Sequence, residues 1–191
     1  MNGSVALTLV AQIAIAQLAS FASLLLVASG VHKFAGRVRA QRAVHELTGL
    51  PWTLAGIVAI GIAAAELTAG IGLWIPAARF NAALLAALVW GSYFAYLLRA
   101  VIAGHSDVDC GCGFSSAHRP LGAFELVRAA ILTSLGLMVA VSAAAAPGAV
   151  AYDISVAAIL TELLAGGALL ALYAALDEVM SIQPLRAGVH S

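Results

Sequence analysis

Charged and strongly polar residues are so sparse along this chain that their positions mark out its organisation. Five long apolar runs cover about residues 5–31, 52–75, 79–103, 121–146 and 152–176. Each approaches or exceeds the ~20 residues that cross the hydrocarbon layer of a bilayer as a helix. Backbone amides in hydrocarbon have no water to bond, so each run is expected to satisfy its own N–H and C=O groups by coiling into a helix. Pro51 and Trp52 open the second run, with proline near a first helical turn and tryptophan at interface depth. Pro76 closes that run and Arg79 opens the next, which predicts a tight hairpin, and Pro147-Gly148 predicts another turn. The fifth run is the least continuous, because Glu162, Gly166 and Gly167 interrupt it. The expected architecture is an all-α integral membrane protein. It is a bundle of about five transmembrane helices, a four-helix core plus a less regular fifth, forming one domain over residues 1–191.

Two polar segments remain. Residues 32–50, HKFAGRVRAQRAVHELTGL, predict a short interfacial helix followed by a turn into Pro51. The second spans about 104–120. Five crossings place both segments and the C-terminus on one face.

Composition reinforces the membrane assignment. The chain is 63% hydrophobic and 9% charged, against roughly 25% charged residues in soluble domains, too few to cover a water-facing surface. Its net charge is zero, so nothing suggests a nucleic acid or other polyanion as partner; the partner that composition implies is the lipid bilayer. The first run starts at Val5 with no basic residue before it and extends to about Val31, too long for the apolar core of a signal peptide, so it is expected to be a retained helix. Lys33, Arg37, Arg39, Arg42, Arg99, Arg119, Arg128 and Arg186 lie on or lean toward the face that carries the two polar segments, and Arg79 alone marks the other. By the positive-inside rule that face is cytoplasmic.

The two cysteines of the chain, Cys110 and Cys112, both sit in the second polar segment, DVDCGCGF, separated by Gly111. A disulfide needs Cα atoms about 4.4–6.8 Å apart, and residues i and i+2 of an extended chain lie near or beyond the top of that range. Closure therefore needs a sharp turn, which Gly111 permits because it accepts positive φ, and Gly113 adds freedom beyond it. A ring that small is expected to be strained, and strained, exposed disulfides are the labile and catalytic ones. His32, Lys33, Arg99, His105, His118 and Arg119 are cationic or basic neighbours that raise the thiolate fraction, while Asp107 and Asp109 oppose them. Two alternatives stay open. His105, Asp107, Asp109, Cys110, Cys112 and His118 supply metal donors, although without a second cysteine pair a closed zinc site would need mixed ligands, and no metal site is assigned. The pair could also serve only to staple its loop.

Around these residues the chain resembles the MauE family of methylamine-utilisation membrane proteins, within the DoxX-like group. The resemblance rests on SGVHKF at 29–34, with Lys33 at a basic position, and on AELTAGIGLWIPAARFNAALLAAL at 65–88, with Glu66 at an acidic position. It also rests on DCGCGF at 109–114 and ELVRAAIL at 125–132. Many relatives read Cys-Gly-Cys-Phe-Gly, whereas here Gly113 precedes Phe114. The resemblance implies a multi-pass protein of the bacterial inner membrane that supports disulfide formation, folding or transport of the methylamine dehydrogenase β subunit. It implies a thioredoxin-like membrane-anchored protein as partner. On this reading Cys110 and Cys112 are the reactive pair of a thiol–disulfide oxidoreductase, Gly111 and Gly113 shape the loop, and His32, Lys33, Glu66, His105, Asp109 and His118 support it. No resident cofactor is indicated, but one dithiol cannot carry electrons across ~30 Å of hydrocarbon, so a transmembrane relay would need a quinone or another protein. The alternatives are a non-enzymatic scaffold for a maturation partner, contacted through residues 32–47, or a metal-handling membrane protein. A disulfide-bearing client outside the cytoplasm would put the cysteine face outside, against the charge rule.

Two carboxyls fall inside apolar runs. Counted at 1.5 Å per residue, Glu66 and Glu162 both lie roughly 21 Å from the cysteine face, which predicts similar depths. Each reads either as a proton- or quinone-linked site or as a protonated carboxyl bonded to a neighbouring helix. Glu125 and Arg128, three residues apart, are placed to pair on one helical face.

Overall fold

The computed structural model describes residues 3–103, 123–145 and 156–187. All six elements in these residues are helices: α1 (Gly3–Ala35), α2 (Arg37–Thr48), α3 (Trp52–Gly72), α4 (Arg79–Ile102), α5 (Ala123–Ala145) and α6 (Val156–Ala187). Five of them, all but α2, contain stretches long and apolar enough to cross a membrane, so the protein is a multi-pass helical membrane protein. The hydrophobic runs located the helices and the starts of α3 and α4, but not the ends of α1 and α6. α1 continues past Val31 through His32 and Lys33, and α6 continues past Leu176 through Asp177. In both places the helix carries a charged side chain that hydropathy treats as a boundary.

The packing is inverted relative to a soluble bundle. Large side chains such as Ile57, Ile71, Leu88, Ile131, Val141 and Leu164 face outward. Much of the interior is lined by small residues, among them Ala22, Ala55, Ala63, Ala69, Ala83 and Ala86, interleaved with Leu25, Leu26, Leu73, Trp90 and Leu132. Lipid is as apolar as leucine, so burying leucine between helices gains little; close backbone approach, with its dispersion contacts and interhelical hydrogen bonds, holds the bundle instead. Gly70 of α3 lies so close to α1 that a Cβ there would sit 2.8 Å from Val27 Cγ2 and 3.0 Å from the Ser23 carbonyl. Ser23 uses this proximity: its hydroxyl donates to the Gly70 carbonyl at 2.6 Å and accepts from the Trp74 indole at 2.5 Å. Gly136 of α5 packs likewise on the backbone of Ala87 in α4, within the most extensive helix pair of the described residues.

The 32–50 segment is ordered as an elbow. α1 ends at Ala35, Gly36 makes the break, and α2 folds back along the first half of α3. Gly49 closes α2 at φ 70°, a left-handed conformation that favours glycine, and its N–H bonds the His45 carbonyl at 2.8 Å. Gln41 donates to the Trp52 carbonyl at 2.8 Å, and the His45 and Trp52 rings meet edge to face. At the opposite end Arg79 turns inward, and its Nε donates to the Leu73 carbonyl at 3.1 Å.

Candidate functional site

The elbow determines where α1 stops relative to α3. Gly30 packs against Ala63 and Leu67, so the last turns of α1 lie alongside the second half of α3. Lys33, three residues from an α1 boundary at Gly36, is thereby level with Glu66. The Lys33 ammonium donates to both Glu66 oxygens, at 2.8 and 3.0 Å, and to Ser29 Oγ at 2.6 Å. Ser29 passes a hydrogen bond on to Glu66 Oε1 at 3.1 Å, and the Tyr93 hydroxyl of α4 donates to the same oxygen at 2.7 Å. Two helices, α1 and α4, thus supply three donor side chains to one carboxylate on α3 whose side chain is 1% exposed. The ammonium also stands 5.4 Å from the Tyr93 ring centroid, within range of a cation–π attraction.

A second ion pair lies across the bundle. Arg128 of α5 donates to Asp177 of α6 at 2.9 Å, with side chains 11% and 4% exposed. The guanidinium also lies over Tyr173, 5.9 Å from its ring centroid, and Tyr173 meets Phe21 of α1 edge to face. Between the two pairs is a cavity of about 50 Å³. Its polar wall is Ser29, His32, Lys33, Glu66, Tyr93, Glu125 and Arg128. A single water needs roughly 10–15 Å³ of such space and two to four polar partners, so the site can hold a few ordered waters. Chemically the arrangement can keep charge and hydrogen-bonded protons inside the bilayer.

Several expectations change here. Glu66 is neither isolated nor dependent on a neutral partner; it is salt-bridged to Lys33. Glu66 and Glu162 do not share a depth. The Glu162 carbonyl accepts from Ser20, whereas Glu66 accepts from Ser29, and nine residues along α1 separate those levels by about 13 Å. The counting from helix ends failed because α6 does not end at Leu176 but runs on to Ala187, which sets Glu162 further from that end than the count allowed. Arg128 reaches across to Asp177, a residue that hydropathy left outside the fifth run. Of the predicted supporting residues, His32, Lys33 and Glu66 come together around the cavity. His105, Asp109, Cys110, Gly111, Cys112, Gly113 and His118 lie outside the described residues. So do Asp107, of the metal alternative, and Arg119. Among the described residues no three His, Cys, Asp or Glu side chains are grouped to hold a metal. Ser29, Tyr173 and Asp177 were not singled out from the sequence. A lone hydroxyl or acid on an apolar helix gives no hint of which neighbour it faces.

Comparison with known proteins places the chain. The family model described as "Methylamine utilisation protein MauE" matches residues 9–146. The "Methylamine utilization protein MauE" of Paracoccus denitrificans is 28% identical over 153 residues, covering 80% of each chain. No solved structure matches. The matched stretch takes in Ser29, Lys33, Glu66, Tyr93, Glu125 and Arg128, as well as both cysteines. By the extent of that match, the chain belongs to the MauE family of methylamine utilisation proteins.

Proposed function

We propose that this protein supports maturation of the methylamine dehydrogenase β subunit from the bacterial inner membrane, by thiol–disulfide exchange at Cys110 and Cys112. Family membership supports a role in methylamine utilisation. The observation that carries the finer reading is that the family match runs through the chain's two cysteines. Their segment is tethered at Ile102 and Ala123 to α4 and α5, and Leu97, Glu125 and Arg128 near those tethers line the polar cavity.

In the exchange, one cysteine thiolate attacks the disulfide of a thioredoxin-like, membrane-anchored partner. The partner's S–S bond breaks and a mixed disulfide forms. The second cysteine then displaces the partner sulfur, closing Cys110–Cys112 and releasing the partner as a dithiol. A dithiol of the client opens that disulfide in turn and leaves as a disulfide. Two electrons and two protons pass from client to partner, and the membrane protein returns to its starting state. Gly111 supplies the turn the small ring requires.

A Cys110→Ser/Cys112→Ser double variant is the test. It should leave the β subunit short of its disulfides and poorly accumulated. One of the two single variants should trap a mixed disulfide visible on non-reducing gels. Normal maturation in the double variant would exclude exchange and leave a scaffold role. Labelling intact cells with a membrane-impermeant maleimide reports the face: modification of the cysteines from outside agrees with a client beyond the cytoplasm, and protection from it does not.

A further inference from the structure

The polar cavity between the two ion pairs opens on one side. Among the described residues that line it, His32 alone is exposed; the others are buried or half-buried. His32 lies near the end of α1, at the same end of the bundle as the last turn of α4 and the first turn of α5. The opposite side is shut. Leu25, Trp90 and Leu132 floor the cavity. They belong to a buried apolar cluster that continues through Leu26, Ala69, Leu73 and Ala83 toward the α3–α4 hairpin. Water finds hydrogen-bond partners in the cavity and none among those side chains.

At the blind end of this cavity is Glu66. Its Oε1 is crowded, accepting from Lys33, Ser29 and Tyr93. Oε2 accepts from Lys33 alone among the described residues, at 3.0 Å. The charged and titratable groups around it come from every helix packed there. His32 and Lys33 of α1, Tyr93 of α4, and Glu125 and Arg128 of α5 stand in the cavity wall with Tyr173 of α6. Asp177 of α6 holds Arg128 from behind. A buried salt bridge needs no mouth if its work is only to join α1 to α3. Here a polar, water-sized space leads from the pair to an exposed imidazole. Imidazole has two ring nitrogens, so it can take a proton at one and release a proton from the other.

We propose that the cavity is a proton-exchange site open to one face of the membrane, with His32 as its entry and Glu66 as its acceptor. A proton passes from outside water to one ring nitrogen of His32. The other ring nitrogen gives a proton to water in the cavity, and that water gives one to Glu66 Oε2. The carboxylate becomes a carboxyl. Lys33 stays charged, keeps its bond to Ser29 and turns from Oε2 to cavity water. The return path reverses these steps, and the apolar floor stops the proton from crossing the bilayer. The entry lies at the end of the bundle from which α4 and α5 tether the cysteine segment, so the site would take up and return the protons that thiols release and regain. That use rests on the exchange proposed above; the site itself does not.

The test uses the full-length protein carrying Trp52→Phe and Trp74→Phe, which leaves Trp90, in the cavity wall, as its one tryptophan. A parallel sample also carries Cys110→Ser and Cys112→Ser, so that loss of proton exchange and loss of thiol exchange are read separately. The protein is placed in phosphatidylcholine vesicles shown by cysteine labelling to hold both orientations. Trp90 emission is followed after a rapid change of outside pH. Emission should change in both samples, and the change should vanish in Glu66→Gln. The Lys33→Met/Glu66→Gln variant, which strands neither charge of the pair, repeats that test if the single variant folds poorly. His32→Gln should slow the response about 100-fold, the lower end of what a positioned proton-transfer group contributes. His45→Gln, which alters an exposed imidazole outside the cavity, should leave the rate unchanged. Only molecules whose entry faces outward should respond at once, and the rest should follow when a protonophore is added. No emission change, a change that survives Glu66→Gln, an unaltered rate in His32→Gln, or a complete response without protonophore would each overturn the proposal.

Discussion

Removing Lys33 should damage this protein more than neutralising its partner. In Lys33→Met, the Glu66 carboxylate keeps the Ser29 and Tyr93 hydroxyls but loses two charge-assisted hydrogen bonds, at 2.8 and 3.0 Å. With its side chain 1% exposed, it cannot turn to bulk water. Breaking a buried ion pair from one side costs about 3–5 kcal/mol, because the remaining charge is stranded. In Glu66→Gln, the amide can still accept from Tyr93 and Ser29. The Lys33 ammonium that is left has a long stem, an 11% exposed side chain and a position near the end of α1, so it can snorkel toward the interface. That variant should cost about 1–3 kcal/mol, in the range of an imperfectly paired buried polar group. The double variant Lys33→Met/Glu66→Gln should cost less than the sum of the two, with a coupling within the 0.5–3 kcal/mol range of contacting residues. Equilibrium unfolding of the purified protein in mild denaturing detergent would measure all three. At about 2–4 °C per kcal/mol for a chain of this size, Lys33→Met alone should lower Tm by roughly 10 °C. Additive losses, or a Lys33→Met variant as stable as the parent, would refute the assignment of Lys33 as the neutralising partner.

Two further outcomes follow from the packing. Gly136→Ala should cost about 1–3 kcal/mol, since its Cβ would meet the Ala87 backbone at 3.0 Å and force α4 and α5 apart. Gly61→Ala meets nothing within 4 Å and should be neutral or stabilise by up to about 1 kcal/mol through helix propensity; the pair measured by thermal unfolding checks the contrast. Arg128→Met should destabilise by about 3 kcal/mol by breaking the buried ion pair with Asp177, and a second change, Asp177→Leu, should recover part of that loss in the same assay.

How far the sequence could be read depended on what kind of signal each feature leaves. The five crossings and the interfacial helix were legible, because long apolar runs and a cluster of arginines are local signals. The interior was not. Lys33 and Glu66 were both noticed as charged positions, yet nothing local pairs residues 33 positions apart. The pairing depends on the elbow at Gly36 and Gly49, which sets where α1 ends against α3. Asp177 was lost for a different reason: a hydropathy window stops at the first charge, and here the charge belongs inside the helix because Arg128 meets it. Glu162 attracted attention as an acid deep in a run, whereas the acid on α6 that meets the polar cluster is Asp177, fifteen residues further on.

The Lys33–Glu66 bridge also constrains how the protein is made. A charge near the middle of a helix adds about 2.5–3.5 kcal/mol to its insertion from the translocon, and Glu66 lies well within α3. Its counter-charge leaves the ribosome first, on α1. If α1 drifted into the lipid before α3 emerged, Glu66 would enter alone. With α2 turning the chain back, α1 and α3 can leave the translocon as one neutral unit, carrying their salt bridge with them. The short elbow is then an assembly device: it keeps the first helix waiting for the third.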